Sequence, residues 1–99
     1  MTAKEAFEKI GYKQIIYNEN ELIFKGIQYI KKDDDSEMER VGMLCTKYIE
    51  FYFTHKEIAI YTTHEHRNGN ISKSSVEILN LEEYNAVKIQ IDELEWQNK

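Results

Sequence analysis

The sequence predicts an α+β fold: a four- to five-stranded antiparallel meander with an N-terminal and a C-terminal helix packed on one face. Three observations carry this expectation. Apolar residues recur at helical spacing near the two ends, at Ala3, Ala6, Phe7 and Ile10 and again at Tyr84, Val87, Ile91 and Leu94. Between the ends they alternate instead, as in Ile49, Phe51 and Phe53, and then Ile58 and Ile60. Turn signals such as Asn68-Gly69 cut that alternating stretch into strand-sized pieces. Ninety-nine residues make one domain, and no linker rich in proline or glycine divides residues 1–99.

The first helix is marked by Thr2 and Glu5, a capping-box pair in which each side chain satisfies an open amide at the helix start. Gly11 suits the left-handed position that ends it. Two strands follow around an Asn18-Glu19-Asn20 turn. In the second, Leu22 and Phe24 keep one alternation and Ile27 and Tyr29 the other, so a bulge is expected at Gly26. A charged loop runs from Lys31 to Arg40. The strands expected next are Cys45–Thr54, Glu57–Arg67 and Asn70–Leu79, the last two joined by a type I′ turn at Asn68-Gly69, where both residues tolerate positive φ. Asn80 and Glu83 repeat the capping box at the start of the second helix, and Trp96 can close over its end. Ile49, Phe51, Phe53, Ile58 and Ile60 are the expected sheet face beneath both helices.

Thirteen basic against eighteen acidic side chains give a formal charge of −5. This argues against direct nucleic-acid binding, which needs a concentrated basic face, and allows a basic protein partner. Cys45 is the only cysteine, which excludes an intramolecular disulfide and fits a reducing cytoplasm. No segment approaches the roughly 20 apolar residues that span a bilayer, and no signal-peptide run opens the chain. A cytoplasmic protein without a membrane role is expected.

The stretch "THEHRNGN", Thr63–Asn70, raises the question of a site. If Thr54 opposes Glu57, Phe53 pairs with Ile58, Phe51 with Ile60, Ile49 with Thr62, Lys47 with His64 and Cys45 with His66. Cys45, His64 and His66 then share the helix-side face, past the last large apolar residues, and the following hairpin sets Lys73 opposite His64 and Ile71 opposite His66. A Cys and two His are a possible zinc shell or small-molecule site, and Cys45 with His66 a possible nucleophile and base. Against zinc stand the missing paired-ligand spacing and the adjacent Lys47 and Lys73. Against catalysis stands the absence of any recognisable oxyanion arrangement. A polar strand end is the reading adopted, with no metal, no cofactor and no catalytic residue.

Two features point instead to partner binding. Asp33, Asp34, Asp35, Glu37 and Glu39 form an acidic run that lacks the glycine and distal glutamate of a calcium loop, but clusters charge suited to a basic surface. Tyr48, Tyr52 and Tyr61, with Ala59, occupy the second alternation of their strands, and Val76 and Ile78 extend it. If helices cover the phenylalanine face, these tyrosines line the open one, offering apolar area with a hydroxyl handle. Homodimerisation through that face is its most economical use.

The two ends, "AKEAFEKIGY" (Ala3–Tyr12) and "LEEYNAVKIQIDELEW" (Leu81–Trp96), resemble small accessory proteins of unknown function from phages and prophages of Gram-positive bacteria. Those proteins share a short helix ending in Gly-Tyr, an antiparallel sheet, and a helix closing in Glu-Leu-x-Trp. The likeness covers about a quarter of the chain and falls on caps and core. It implies fold and origin, and carries over no catalytic residue. By analogy it implies a non-enzymatic protein that binds and occludes a host macromolecule, such as a nuclease of a defence system (an anti-CRISPR-like inhibitor).

Overall fold

Helix α1 spans Ala3–Lys9. The strands are β1 Lys13–Tyr17, β2 Gly26–Lys32, β3 Met43–Tyr52, β4 Glu57–His66 and β5 Ile71–Ser74, and helix α2 spans Leu81–Leu94. These elements come from a computed structural model, which describes residues 1–17, 25–32, 40, 42–74 and 78–96. The strands form one antiparallel sheet in the order β1-β2-β3-β4-β5, the expected meander, and both helices pack on one of its faces.

Both helices begin and end by the same devices. Thr2 Oγ1 accepts the Glu5 amide at 3.1 Å while Glu5 Oε1 accepts the Thr2 amide at 2.8 Å. Asn80 and Glu83 repeat the exchange at 2.8 and 3.0 Å. At the other end of α1, Gly11 takes φ 99°, and the Tyr12 and Gly11 amides donate to the carbonyls of Phe7 and Glu8, a Schellman closure. The same pair of bonds ends α2, from Trp96 to Ile91 and from Glu95 to Asp92. There the left-handed residue is Glu95, at φ 59°. In each case the aromatic residue just past the closure turns back onto the core. Tyr12 meets Phe7 edge to face at 5.5 Å, and Trp96 meets Phe51 at 6.0 Å.

The core is aromatic. Phe7 stacks on Tyr29 with ring centroids 3.8 Å apart, and Phe51 meets both rings edge-on. Ile27, Ile49, Ala86 and Val87 complete the buried cluster. Buried tyrosines need partners for their hydroxyls, and α2 supplies them. Tyr12 donates to Glu83 Oε2 at 2.7 Å, and Tyr29 donates to Gln90. Burial pushes the Tyr29 hydroxyl up to about 12. The two helices are tied directly where Glu93 Oε2 accepts the Ala3 amide at 2.7 Å.

Several expected details differ. Tyr52, not Thr54, opposes Glu57, so the β3–β4 register lies two residues from expectation: Phe51 pairs with Ile58, Ile49 with Ile60, Cys45 with His64 and Met43 with His66. A two-residue turn would need positive φ at His55, and in its type I′ form at Lys56 as well. The four-residue connection Phe53–Lys56 needs it only at Lys56, at φ 55°. Phe53 consequently sits in the turn, 40% exposed, rather than under the helices. The shift is even, so every other side chain keeps its predicted face.

The β4–β5 hairpin shifts by one, which does change faces. Its loop is Arg67–Gly69, closed by the His66 amide to Asn70 at 2.8 Å and the Gly69 amide to His66 at 2.8 Å. Of the Asn-Gly pair only Gly69 takes positive φ, at 92°, since glycine alone does so without steric cost. Ser72 therefore opposes His64, Lys73 opposes Thr63, and Ile71 opposes Glu65. Gly26 pairs one to one with Tyr17 and Tyr52 at the start of β2, so no bulge lies there. Ile78 lies outside β5 and is 84% exposed. The expected Asn18–Asn20 turn, Leu22, Phe24 and Val76 lie outside the described residues.

The displaced phenylalanine gives a direct test. Phe51→Ala should cost about 3–5 kcal/mol, and Phe53→Ala less than about 1 kcal/mol, in urea unfolding followed by circular dichroism. Similar losses for both would restore the expected register.

Candidate binding face and an adjoining thiol cavity

Strand β3 sends its side chains alternately to two faces. Ile49 and Phe51 enter the core, and Glu50 between them points to the face that carries no helix among the described residues. Glu50 is nonetheless only 4% exposed. Its carboxylate accepts the Tyr61 hydroxyl at 2.7 Å, and it accepts further hydrogen bonds from the Tyr52 hydroxyl and Gln28 Nε2. Ala59 lies directly opposite on β4, and its small side chain leaves room for the flanking tyrosines to lean over the carboxylate. Tyr48 and Tyr61, also directly opposed, stack with centroids 4.7 Å apart and planes 15° from parallel. The one-residue shift of β5 brings Lys73 to this face, its Nζ 4.2 Å from the Tyr61 ring centroid.

Tyr48, Tyr52 and Tyr61 thus meet on one face, as expected, but in a different role. The Tyr52 and Tyr61 hydroxyls turn inward to Glu50, so these side chains leave ring surface rather than hydroxyls on this face. Burial, reinforced by the bond to Glu50 and its negative charge, pushes the Tyr52 hydroxyl up to about 12 and the Tyr61 hydroxyl further in the same direction. Glu50 escaped sequence reasoning, although the alternation Tyr48-x-Glu50-x-Tyr52 placed it there. Asp33, Asp34, Asp35, Glu37 and Glu39, the other expected contacts, lie outside the described residues.

The helix-side face ends differently. Ten-residue strands extend about 33 Å, whereas fourteen-residue α2 covers about 21 Å, so β3 and β4 run beyond it. Cys45, His64 and His66 share that projecting end, as expected. Cys45 Sγ lies 3.2 Å from His64 Nδ1, while His66 Nε2 is 3.3 Å from Ser72 Oγ. Among the described residues no three His, Cys, Asp or Glu side chains are grouped to hold a metal ion.

Next to the thiol opens a cavity of about 260 Å³ lined by Lys31, Cys45, Lys47, Thr62 and Glu83. Glu83 anchors its wall, 5% exposed, meeting Lys47 Nζ at 3.0 Å and the Tyr12 hydroxyl at 2.7 Å. Burial raises the Glu83 pKa, but the bonds from Tyr12, the Asn80 amide and Lys47 outweigh it and hold the carboxyl below the usual value of 4.5. Sequence reasoning identified Glu83 only as a helix cap.

Compared with protein-family models, curated proteins and solved structures, the chain matches none.

Two measurements test these carboxylates. In Glu50→Gln, NMR titration should show Tyr52 and Tyr61 ionising at lower pH than in the wild type, yet above the ordinary 10.0 because burial remains. Unchanged curves would remove Glu50 from the network. Glu83→Gln should lose about 1–2 kcal/mol at neutral pH. Because the folded value is depressed, that advantage is full above pH 4.5 and disappears as pH falls through the lower folded value. A stability difference that persists undiminished in acid would contradict the assignment.

Proposed function

We propose that this chain is a non-enzymatic binding module whose open sheet face docks on a host macromolecule and blocks it by occlusion. The observation that carries the reading is the tyrosine roof over Glu50, on a face with no helix among the described residues. A buried carboxylate is a poor device for stability, because its desolvation offsets most of what its hydrogen bonds return. What it does achieve is to hold two tyrosines in place before any partner arrives, and the Tyr48–Tyr61 stack adds a third fixed ring. Preordered rings lose little entropy on association, and tyrosine is enriched where binding energy concentrates.

The likeness of both ends to phage and prophage proteins supports a bacterial cytoplasmic setting and a host protein as target, with nucleases of defence systems the leading class. The run Asp33–Glu39 adds negative charge that would steer a basic partner. A second copy of the chain is the competing occupant of the tyrosine face.

Tagged protein mixed with a Gram-positive lysate, with captured proteins quantified by mass spectrometry, tests this. At least one host protein should be enriched by the wild type and by Lys88→Ala on α2. Its capture should fall more than tenfold with Tyr48→Ala, and equally with Thr63→Arg, which adds a charged chain to the same face. Capture indifferent to both face variants would sink the reading. A dimer by sedimentation that both variants dissociate, with no host protein captured, would replace it with self-association.

A further inference from the structure

The projecting end of the β3–β4 ribbon carries a second chemistry, independent of the tyrosine face. Cys45 and His64 are directly opposed across the two strands, so their side chains leave the sheet side by side. The resulting Sγ–Nδ1 distance, 3.2 Å, is within reach of proton transfer. With the imidazole proton on Nε2, Nδ1 accepts from the thiol, and the imidazolium formed stabilises the thiolate. The pair is also accessible, since Cys45 is half-buried and lines the 260 Å³ cavity.

The lining defines what can enter. Among the described residues that line it, Lys31 comes from β2 and Lys47 from β3, against the carboxylate of Glu83 from α2, so two positive charges there face one negative. His66 on β4 points to the same face, and β5 sets the uncharged Ser72 opposite His64. Lys47 is held by Glu83 at 3.0 Å and by the Ile78 carbonyl at 2.7 Å, which leaves Lys31 to meet an incoming anion. The volume is below the roughly 300–1,000 Å³ of drug-sized pockets, which suits a group the size of an amino acid or short peptide.

We propose that Cys45 and His64 form a thiol–imidazole pair that exchanges with small carboxylate-bearing disulfides, making Cys45 a site of reversible modification. The Cys45 proton passes to His64 Nδ1, and the thiolate attacks one sulfur of the disulfide. The Cys45 Sγ–S bond forms as the disulfide S–S bond breaks. The leaving thiolate departs with that electron pair and takes the proton back from His64. Cys45 is oxidised, and half of the small disulfide is reduced to thiol.

Stopped-flow rates on the full chain test this from about pH 5.5 to 9, a range that spans the ordinary thiol pKa. The probes are dithiobis(nitrobenzoate), a dianionic disulfide, and dithiodipyridine, a neutral one. Near pH 6 the wild type should react with the anionic probe at least tenfold faster than His64→Gln does. Lys31→Met should slow the anionic probe several-fold and leave the neutral one unchanged, and His66→Gln should retain wild-type rates. Identical pH profiles for wild type and His64→Gln, both following an ordinary thiol near about 8.5, would overturn the proposal. Equal slowing of both probes by Lys31→Met would overturn the anion preference. A check without variants is intact-mass analysis of wild-type protein after incubation with glutathione disulfide: a single adduct on Cys45 is expected, and its absence would refute the site.

Discussion

Ile49, Glu50 and Phe51 stand on consecutive positions of the central strand, and the pleat sends them to opposite sides of the sheet. On one side Ile49 and Phe51 join Phe7 and Tyr29 under the helices. On the other, Glu50 collects hydrogen bonds from Tyr52, Tyr61 and Gln28. Neither face can move without the other, because a one-residue slip of β3 would place a carboxylate in the aromatic core and two large apolar side chains on the open face. The depth of burial of Ile49 and Phe51 therefore also sets the geometry of the tyrosine face.

Polar groups do more of the positioning in this fold than its apolar core implies. Tyr12 and Tyr29 pack as hydrocarbon against Phe7, but their hydroxyls reach α2 at Glu83 and Gln90 and set where the helix lies along the sheet. Glu83 caps α2, accepts from Tyr12 and pairs with Lys47, so one carboxylate joins the helix start, the aromatic core and the outer part of β3. Glu50 performs the corresponding task on the opposite face. Each carboxylate is buried, and each has donors enough to offset its desolvation.

The two proposed activities use different parts of the same ribbon. The middle of β3 and β4, backed by the core, presents stacked rings. Past the reach of α2 the same strands present Cys45 and His64 beside a cavity whose described lining carries more positive than negative charge. A rigid platform favours recognition by surface, and a partly open polar recess favours small-molecule chemistry.

The sequence by itself determined both helices with their caps, the order of the strands, the face of every residue on β3 and β4, and the grouping of the tyrosines. All of these follow from local patterns with periods of two or about 3.6 residues, or from side-chain bonds spanning three residues. It placed both turns but determined the geometry of neither. His55-Lys56 and Asn68-Gly69 allow several loop lengths, and the choice rests on which single residue adopts positive φ once the strands are paired. Those choices set Cys45 against His64 rather than His66, moved Phe53 out of the core, and brought Lys73 onto Tyr61. The burial of Glu50 and the several partners of Glu83 were likewise decided only by the tertiary structure. A carboxylate's environment is made by residues distant in the chain: Gln28 and Tyr61 for Glu50, and Tyr12 and Lys47 for Glu83.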